Sequence, residues 1–436
     1  MESTMRIDGS ILLLGLAGCA SAAGDSASRL PSFGPEEVLS SATVNGATPM
    51  LLVTPRGDRV ISWVAEPDSA TPSRLFVSVS GGSGAAPFTG SLADPLGGIE
   101  PHGEAPPQLA ASGDGAIYAL YTVGKEVPGQ RFPSSALRFA RSDDGGRTWS
   151  GPVSVNEGDT FGSHNFHSLF AAPGGVVYAS WLSSVKGTSG VWIRRSDDGG
   201  RTWGPSQGVH LEPTCPCCRT ALAAGPDGSL YAAWRKIFPG DVRDIVVARS
   251  NDGGKTWSTP VRPREDGWVF PGCPHAGPSL KVAPDGSVHI AWWTGKSGEA
   301  GVYYARSDDG AQSFHATPIA TGARSNPAHV QLALLAGKRV AVAWDDGQSE
   351  TPGILLRVGE GTTFGKSTRL SATGVAATFP VLGAAGDSLF VAWSQMGEAA
   401  HRAAMAAKVD MSDPHAVMTL PRVGQAEIMG RQGSTN

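Results

Sequence analysis

The sequence predicts an all-β chain folded as a β-propeller of four-stranded blades, seven in number, with six as the alternative. Three observations predict it. A nine-residue segment recurs almost verbatim at a fixed interval. A second segment, a turn followed by a short apolar strand ending in an aromatic residue, recurs along the whole chain. The composition, with 58 Gly and 32 Pro in 436 residues and hydrophobic residues at 40%, suits short strands joined by tight turns rather than long helices.

The nine-residue segment is Arg141-Ser142-Asp143-Asp144-Gly145-Gly146-Arg147-Thr148-Trp149. It returns as Arg195 to Trp203 and as Arg249 to Trp257, each copy 54 residues after the last, and a worn copy runs from Arg306 through Ser307, Asp309 and Ser313 to Phe314. The chemistry of such a segment is that of a hairpin turn. The Asp accepts nearby backbone N–H groups, the Gly takes a positive φ, and the aromatic packs beside a neighbouring sheet. Ser142, Asp144, Gly146 and Trp149, with Ser196, Asp198, Gly200 and Trp203 and with Ser250, Asp252, Gly254 and Trp257, are therefore structural residues.

The strand repeat ends at Trp63, Tyr121, Trp181, Trp234, Trp292, Trp344 and Trp393, with spacings from 49 to 60 residues, about what one four-stranded blade needs. Blade 4 shows the whole grammar. Thr220–Ala223 is the inner strand, Ser229–Trp234 the second, Ile245–Arg249 the third, then the box, then Pro260–Arg262 as the outer strand. Pairing of Glu37–Ser40 with the last blade would close the ring and remove its free edge. The propeller is thus expected over 31–436.

In this grammar the boxes crowd one face and the loops leading into the inner strands crowd the other. Those lead-in loops carry His102 in blade 2, His164 and His167 in blade 3, Cys215-Pro216-Cys217-Cys218-Arg219 in blade 4, Cys273-Pro274-His275 in blade 5 and His329 in blade 6. Arg219, Gly277 and His329 each stand fifteen residues before their blade's aromatic. Cys215, Cys217, Cys218 and Cys273 with His275, His167 and His329 form a metal-or-disulfide set, and as metal ligands they suit Cu or Zn. The competing reading is two disulfides, since Cys-x-Cys-Cys is not a standard zinc spacing and an exported protein meets an oxidising compartment. A carboxylate-gripping and acid–base set is expected nearby, from Arg219, Arg235, Asp241, Arg243 and Asp244, with an Arg243–Asp244 ion pair as the structural alternative.

The repeats resemble the Asp-box, or bacterial neuraminidase repeat, of the sialidase superfamily, over most of the chain from about Pro31. The segments CPCCR and GCPH, with Asp266-Gly267-Trp268 between them, resemble a subgroup of bacterial sialidase-like envelope proteins. The resemblance implies a propeller and, for an enzyme, a glycoside hydrolase of exo-sialidase type. Its catalytic pattern is missing, however. Ala47-Thr48-Pro49-Met50 stands where an Arg-Ile-Pro motif is required, and no tyrosine follows Tyr304 to act as the late nucleophile.

At the start of the chain, Arg6 precedes the apolar run Ile11–Leu16, and Leu16-Ala17-Gly18-Cys19 resembles a bacterial lipobox. A signal peptide over 1–18, lipid on Cys19 and a tether over 19–30 are expected, giving an exported lipoprotein of the bacterial envelope. A formal net charge of -4 with scattered Lys and Arg excludes a nucleic-acid stripe. Three functions follow: a glycan-binding or glycan-hydrolysing propeller, a Cys/His metal-binding or redox propeller, and a non-catalytic scaffold for a protein ligand.

Overall fold

The computed structural model describes residues 31–435, apart from 41–42, 69–70, 82–85, 129–132, 159, 186–187, 323–327, 347–350 and 398–425. The signal peptide, Cys19 and the tether lie outside the described residues. Seven antiparallel sheets succeed one another along the chain. From inner to outer strand they are Val44–Val53, Arg59–Glu66, Arg74–Ser80 and Phe88–Leu92 (blade 1), and Gln108–Ala111, Ile117–Lys125, Ser134–Ser142 and Val153–Ser154 (blade 2). Blade 3 is His164–Ala171, Val177–Val185, Thr188–Ser196 and Gln207–His210; blade 5 is Ser279–Val282, Val288–Thr294, Gly301–Ser307 and His315–Thr321. In blade 6, Val330–Leu334, Arg339–Asp345 and Ile354–Glu360 carry two short outer strands, Thr363–Phe364 and Thr368–Arg369.

Blade 7 closes the ring. Its strands Val375–Ala385, Ser388–Gly397 and Glu427–Ser434 take their outer strand from the other end of the chain, with Ser32 opposite Ser434 and Glu37 opposite Gly430. Leu39 N–H donates to Ile428 O at 2.7 Å, and Ile428 N–H donates to Ser40 Oγ at 2.9 Å. The expected pairing of Glu37–Ser40 with the last blade is therefore present, and the count is seven rather than six.

Blade 4 departs from the expected grammar. Its sheet holds three strands, Ala221–Ala224, Leu230–Phe238 and Val242–Ser250. Pro260–Arg262 contributes a single bridge, Val247 to Val261. Prolines 260 and 263 flank that bridge and lack the N–H groups that a longer ladder requires.

The core lies between blades. Each second strand is covered on both faces, so Ile117–Val123 and Val288–Thr294 are buried throughout. The terminal aromatics Trp63, Tyr121, Trp181, Trp234, Trp292, Trp344 and Trp393 are all 3% exposed or less. Each face of the second strand pairs a small residue with a large one, Tyr231 with Ala233 on one side and Ala232 with Trp234 on the other, so neighbouring sheets approach while the rings fill the gap.

Candidate functional site

The turns after the third strands are built as the boxes require. Asp144 Oδ1 accepts from Arg147 N–H at 3.0 Å and Thr148 N–H at 2.9 Å, while Oδ2 accepts from Thr148 Oγ1 at 2.6 Å. Gly146 N–H donates to Ser142 Oγ at 2.7 Å. Asp198, Asp252 and Asp309 repeat the arrangement, and the hydroxyl and backbone N–H of Thr202 hold the Asp198 carboxyl down at about 2. The arginine that opens each box lies over a tyrosine of its own second strand: Arg141 over Tyr118, Arg195 over Tyr178 and Arg249 over Tyr231.

At the opposite end the lead-in loops of blades 4 and 5 bring the cysteines together. Cys215 Sγ stands 3.6 Å from Cys217 Sγ and 3.0 Å from Cys218 Sγ, and all three are 1% exposed or less. Cys273, partly buried, packs against the same cluster from the blade 5 loop. Arg243 Nη1 donates to Cys215 Sγ at 3.4 Å. Burial pushes the Cys215 thiol up, but hydrogen bonds from Cys217 and Cys218 and the charges of Arg235 and Arg243 outweigh it and hold it well below its ordinary value. Burial drives Cys217 and Cys218 the other way. Among the described residues, the group of metal-ligating side chains whose ligand atoms all lie within 4.8 Å of one another is Cys215, Cys217 and Cys218.

The histidines expected beside these sulfurs are held elsewhere. His167 is fully buried with Nε2 3.2 Å from Leu120 O, and burial lowers its pKa to about 3, so it is a neutral residue between blades 2 and 3. His329 Nδ1 stands 2.6 Å from Asp345 Oδ2. His275 turns Nδ1 to the carbonyl of Cys273 at 3.0 Å and its ring towards His102, 6.3 Å away between centroids.

Of the five residues expected to grip a carboxylate or exchange protons, four are engaged in holding loops. Arg235, 1% exposed, donates to Arg243 O (2.8 Å), Ala276 O (2.9 Å) and Trp293 O (2.7 Å), joining blades 4 and 5. Arg243 Nε donates to Phe270 O at 2.5 Å. The Arg243–Asp244 ion pair is not formed. Alternate residues of a strand face opposite ways, and Asp244 instead accepts from Arg262 Nη1 (3.2 Å) and the N–H groups of Gly267 (3.1 Å) and Trp268 (3.2 Å). Asp241 occupies an exposed left-handed turn (φ 57°) whose carbonyl accepts Phe270 N–H at 3.0 Å.

Arg219 is the exception. It is 8% exposed, and its guanidinium has no hydrogen-bond acceptor or ion-pair partner among the described residues. The group beside it is Glu104, which the sequence reading passed over. Glu104 Oε1 accepts the N–H of Arg219 at 3.1 Å and the N–H of Gly277. Burial raises its pKa, against the attraction of Arg219 and His329. Burial disfavours the charged form of His329, but Asp345 outweighs that and raises its pKa. The three residues fifteen before their aromatics thus meet around one carboxylate from blade 2.

Two aromatic rings line this mouth from other blades. Phe166 and Phe379 sit at inner-strand bulges with φ of 55° and 54°. The Phe166 ring meets His102 edge-on at 5.2 Å, and the Phe379 ring lies 4.0 Å from His329. Phe379 N–H donates to Asp345 Oδ2 at 3.1 Å, and a side chain at Gly103 would overlap its ring. Phe166 stands fifteen residues before Trp181 and Phe379 fourteen before Trp393, so the same count along the sequence points to them. Glu104 had only its place two residues after His102 as a signal.

Seven blades with Asp-box turns at one end and a polar mouth at the other define a β-propeller. The BNR repeat-like domain family matches residues 100–266. No curated protein matches the chain. Among solved structures, the polysaccharide lyase Uly1 is similar at a TM-score of 0.55 and 11% identity, over 92% of this chain and 99% of that one. An ulvan lyase of a polysaccharide lyase family, solved bound to GlcA(1-4)Rha3S, is similar at a TM-score of 0.54 and 14% identity, over 83% and 96% of the two chains. A protein of unknown function from Dyadobacter fermentans is similar at 0.51 and 16%, over 93% and 99%. At these identities the likeness is one of fold.

Proposed function

We propose that the chain recognises an acidic saccharide at the mouth formed by the lead-in loops, with Arg219 as the carboxylate-binding group. The observation that carries this reading is Arg219, only 8% exposed and within electrostatic reach of Glu104 and His329, whose guanidinium hydrogen bonds to none of the described residues. A guanidinium that protein acceptors leave open to solvent at such a mouth is suited to a bidentate ligand carboxylate. Phe379 and His102, both half-buried, offer ring surface against which a sugar can lie. Glu104 and His329, both pushed upward, equip the same mouth to hold and move a proton. The uronate-containing ligand of the similar ulvan lyase supports the choice of an acidic sugar. Exo-sialidase chemistry is not proposed: all six tyrosines lie in strands, with Tyr121 donating to Asp94 at 2.8 Å and Tyr304 2.7 Å from His289 Nδ1. If Cys19 carries lipid, the mouth meets glycans outside the cytoplasm.

Calorimetric titration with oligoglucuronates and with neutral oligosaccharides of equal length tests the reading, with turnover of the uronates followed in parallel. The acidic ligands are expected to bind, and Arg219→Ala to weaken them by roughly 10- to 100-fold, as loss of hydrogen bonds to a charged group implies, with thermal melting preserved. Binding that ignores charge, or survives Arg219→Ala, would overturn it.

A further inference from the structure

A second cluster stands apart from the saccharide reading and does not depend on it. We propose that Cys215, Cys217, Cys218 and Cys273 form a thiolate cage between blades 4 and 5 for one soft d10 metal ion, Zn(II) or Cu(I). Three features of the geometry carry this. The first is the sulfur spacing. The Cys215 sulfur stands 3.0 Å from that of Cys218 and 3.6 Å from that of Cys217, far beyond the ~2.05 Å of a disulfide. Those spacings approach the roughly 3.8 Å edge of a tetrahedron built on Zn–S bonds of about 2.3 Å. Cys273 flanks this trio from the blade 5 loop with its sulfur outside the 4.8 Å group, so that a fourth bond requires its loop to close on the ion.

The second feature is charge. Arg243 Nη1 donates to Cys215 Sγ at 3.4 Å, and the fully buried Arg235 lies close enough to act on the same sulfur. A disulfide sulfur is neutral and a poor acceptor, whereas a thiolate is the partner a buried guanidinium requires. A Zn(II) tetrathiolate and a Cu(I) trithiolate each leave two net negative charges, and the two arginines match them.

The third feature is rigidity. The blade 4 loop is pinned by Cys215 N–H to Arg235 O at 2.9 Å, Ile237 N–H to Pro213 O at 3.1 Å, and the Thr214–Lys236 bridge. The blade 5 loop is pinned by Arg235 to Ala276 O at 2.9 Å and Phe270 N–H to Asp241 O at 3.0 Å. Cys215 and Cys273 each precede a proline, which narrows their backbone freedom further. Binding an ion here displaces thiol protons to solvent and needs no oxidant.

The test uses the whole protein, purified anaerobically, reduced, freed of reductant, and titrated separately with Zn(II) and Cu(I) against chromophoric chelators. About one ion per chain is expected from one or both arms, with four thiols in the Zn(II) arm, or three in the Cu(I) arm, becoming unreactive towards a thiol reagent until chelator and denaturant are added. The relative affinities of the two arms say which ion the cage prefers. Cobalt(II) substitution is expected to give thiolate-to-metal charge transfer and the visible bands of a tetrahedral ion. Cys217→Ser and Cys273→Ser are expected to weaken binding at least tenfold; if either fails to fold, the wild-type titration decides alone. Arg219→Ala is expected to keep its metal whatever it does to saccharide binding. Failure of the reduced wild type to take up either ion would overturn the proposal. So would Cys215–Cys218 and Cys217–Cys273 disulfides mapped in protein isolated without reductant.

Discussion

Gly200 and Gly145 show how differently two glycines of the same repeat are constrained. Both have left-handed backbones, with φ of 82° at Gly200, the second glycine of its box, and 72° at Gly145, the first of its own. A methyl group at Gly200 would enter the ring of Phe139 on the preceding blade, whereas at Gly145 nothing lies within 4 Å. Gly145→Ala is therefore expected to cost about 1–2 kcal/mol, the price of a left-handed residue with a Cβ. Gly200→Ala should cost that and a further ~1–3 kcal/mol of overpacking. Urea melts of the two variants check this, and equal losses would mean that the Phe139 contact relaxes freely. The worn fourth box keeps its turn with Ala311 at φ 69° in place of the glycine, so the aspartate's hydrogen bonds hold the turn even against that strain.

Among the elements, the second strand of each blade carries more of the stability than the box turn. Trp234 is fully buried between blades 3 and 4, whereas Trp203 is half-buried against Phe139, their rings 5.2 Å apart and edge to face. The box tryptophans Trp149, Trp203 and Trp257, expected to pack beside a neighbouring sheet, are half-buried there. Trp234→Ala is expected to destabilise by about 3–5 kcal/mol and Trp203→Ala by roughly 1–3 kcal/mol. Chemical denaturation of both in parallel reads the difference. The reverse order would place the main anchor in the turns.

For the whole molecule, closure rests on two short N-terminal segments laid along Glu427–Ser434. Deleting residues 31–40 would leave that strand with an unpaired edge and remove the Ile428–Ser40 contact. The expected outcome is a lower melting temperature together with association of the truncated chains, because an open strand edge pairs with another chain. Calorimetry and light scattering check it. A truncated chain that stays monomeric with unchanged melting would show that the ring holds closed without this strand.

The repeats determined much of this protein by themselves. Blade number, box turns, the identity of the buried aromatics and the end of the molecule on which Cys215, Cys217, Cys218 and Cys273 gather all follow from residue type and spacing, because a propeller makes sequence neighbours into spatial neighbours. What only the tertiary structure decided is which side chains are left over. Arg235, Arg243 and Asp244 are of the same chemical type as Arg219 or an acid–base carboxylate, yet their charges are absorbed by carbonyls and N–H groups of adjoining loops. Glu104 comes from blade 2 to meet Arg219 of blade 4, Gly277 of blade 5 and His329 of blade 6, a meeting of loops far apart in sequence. Spacing along a chain sets which loops share a face. Which of their polar groups find partners depends on the directions in which side chains leave the closed ring.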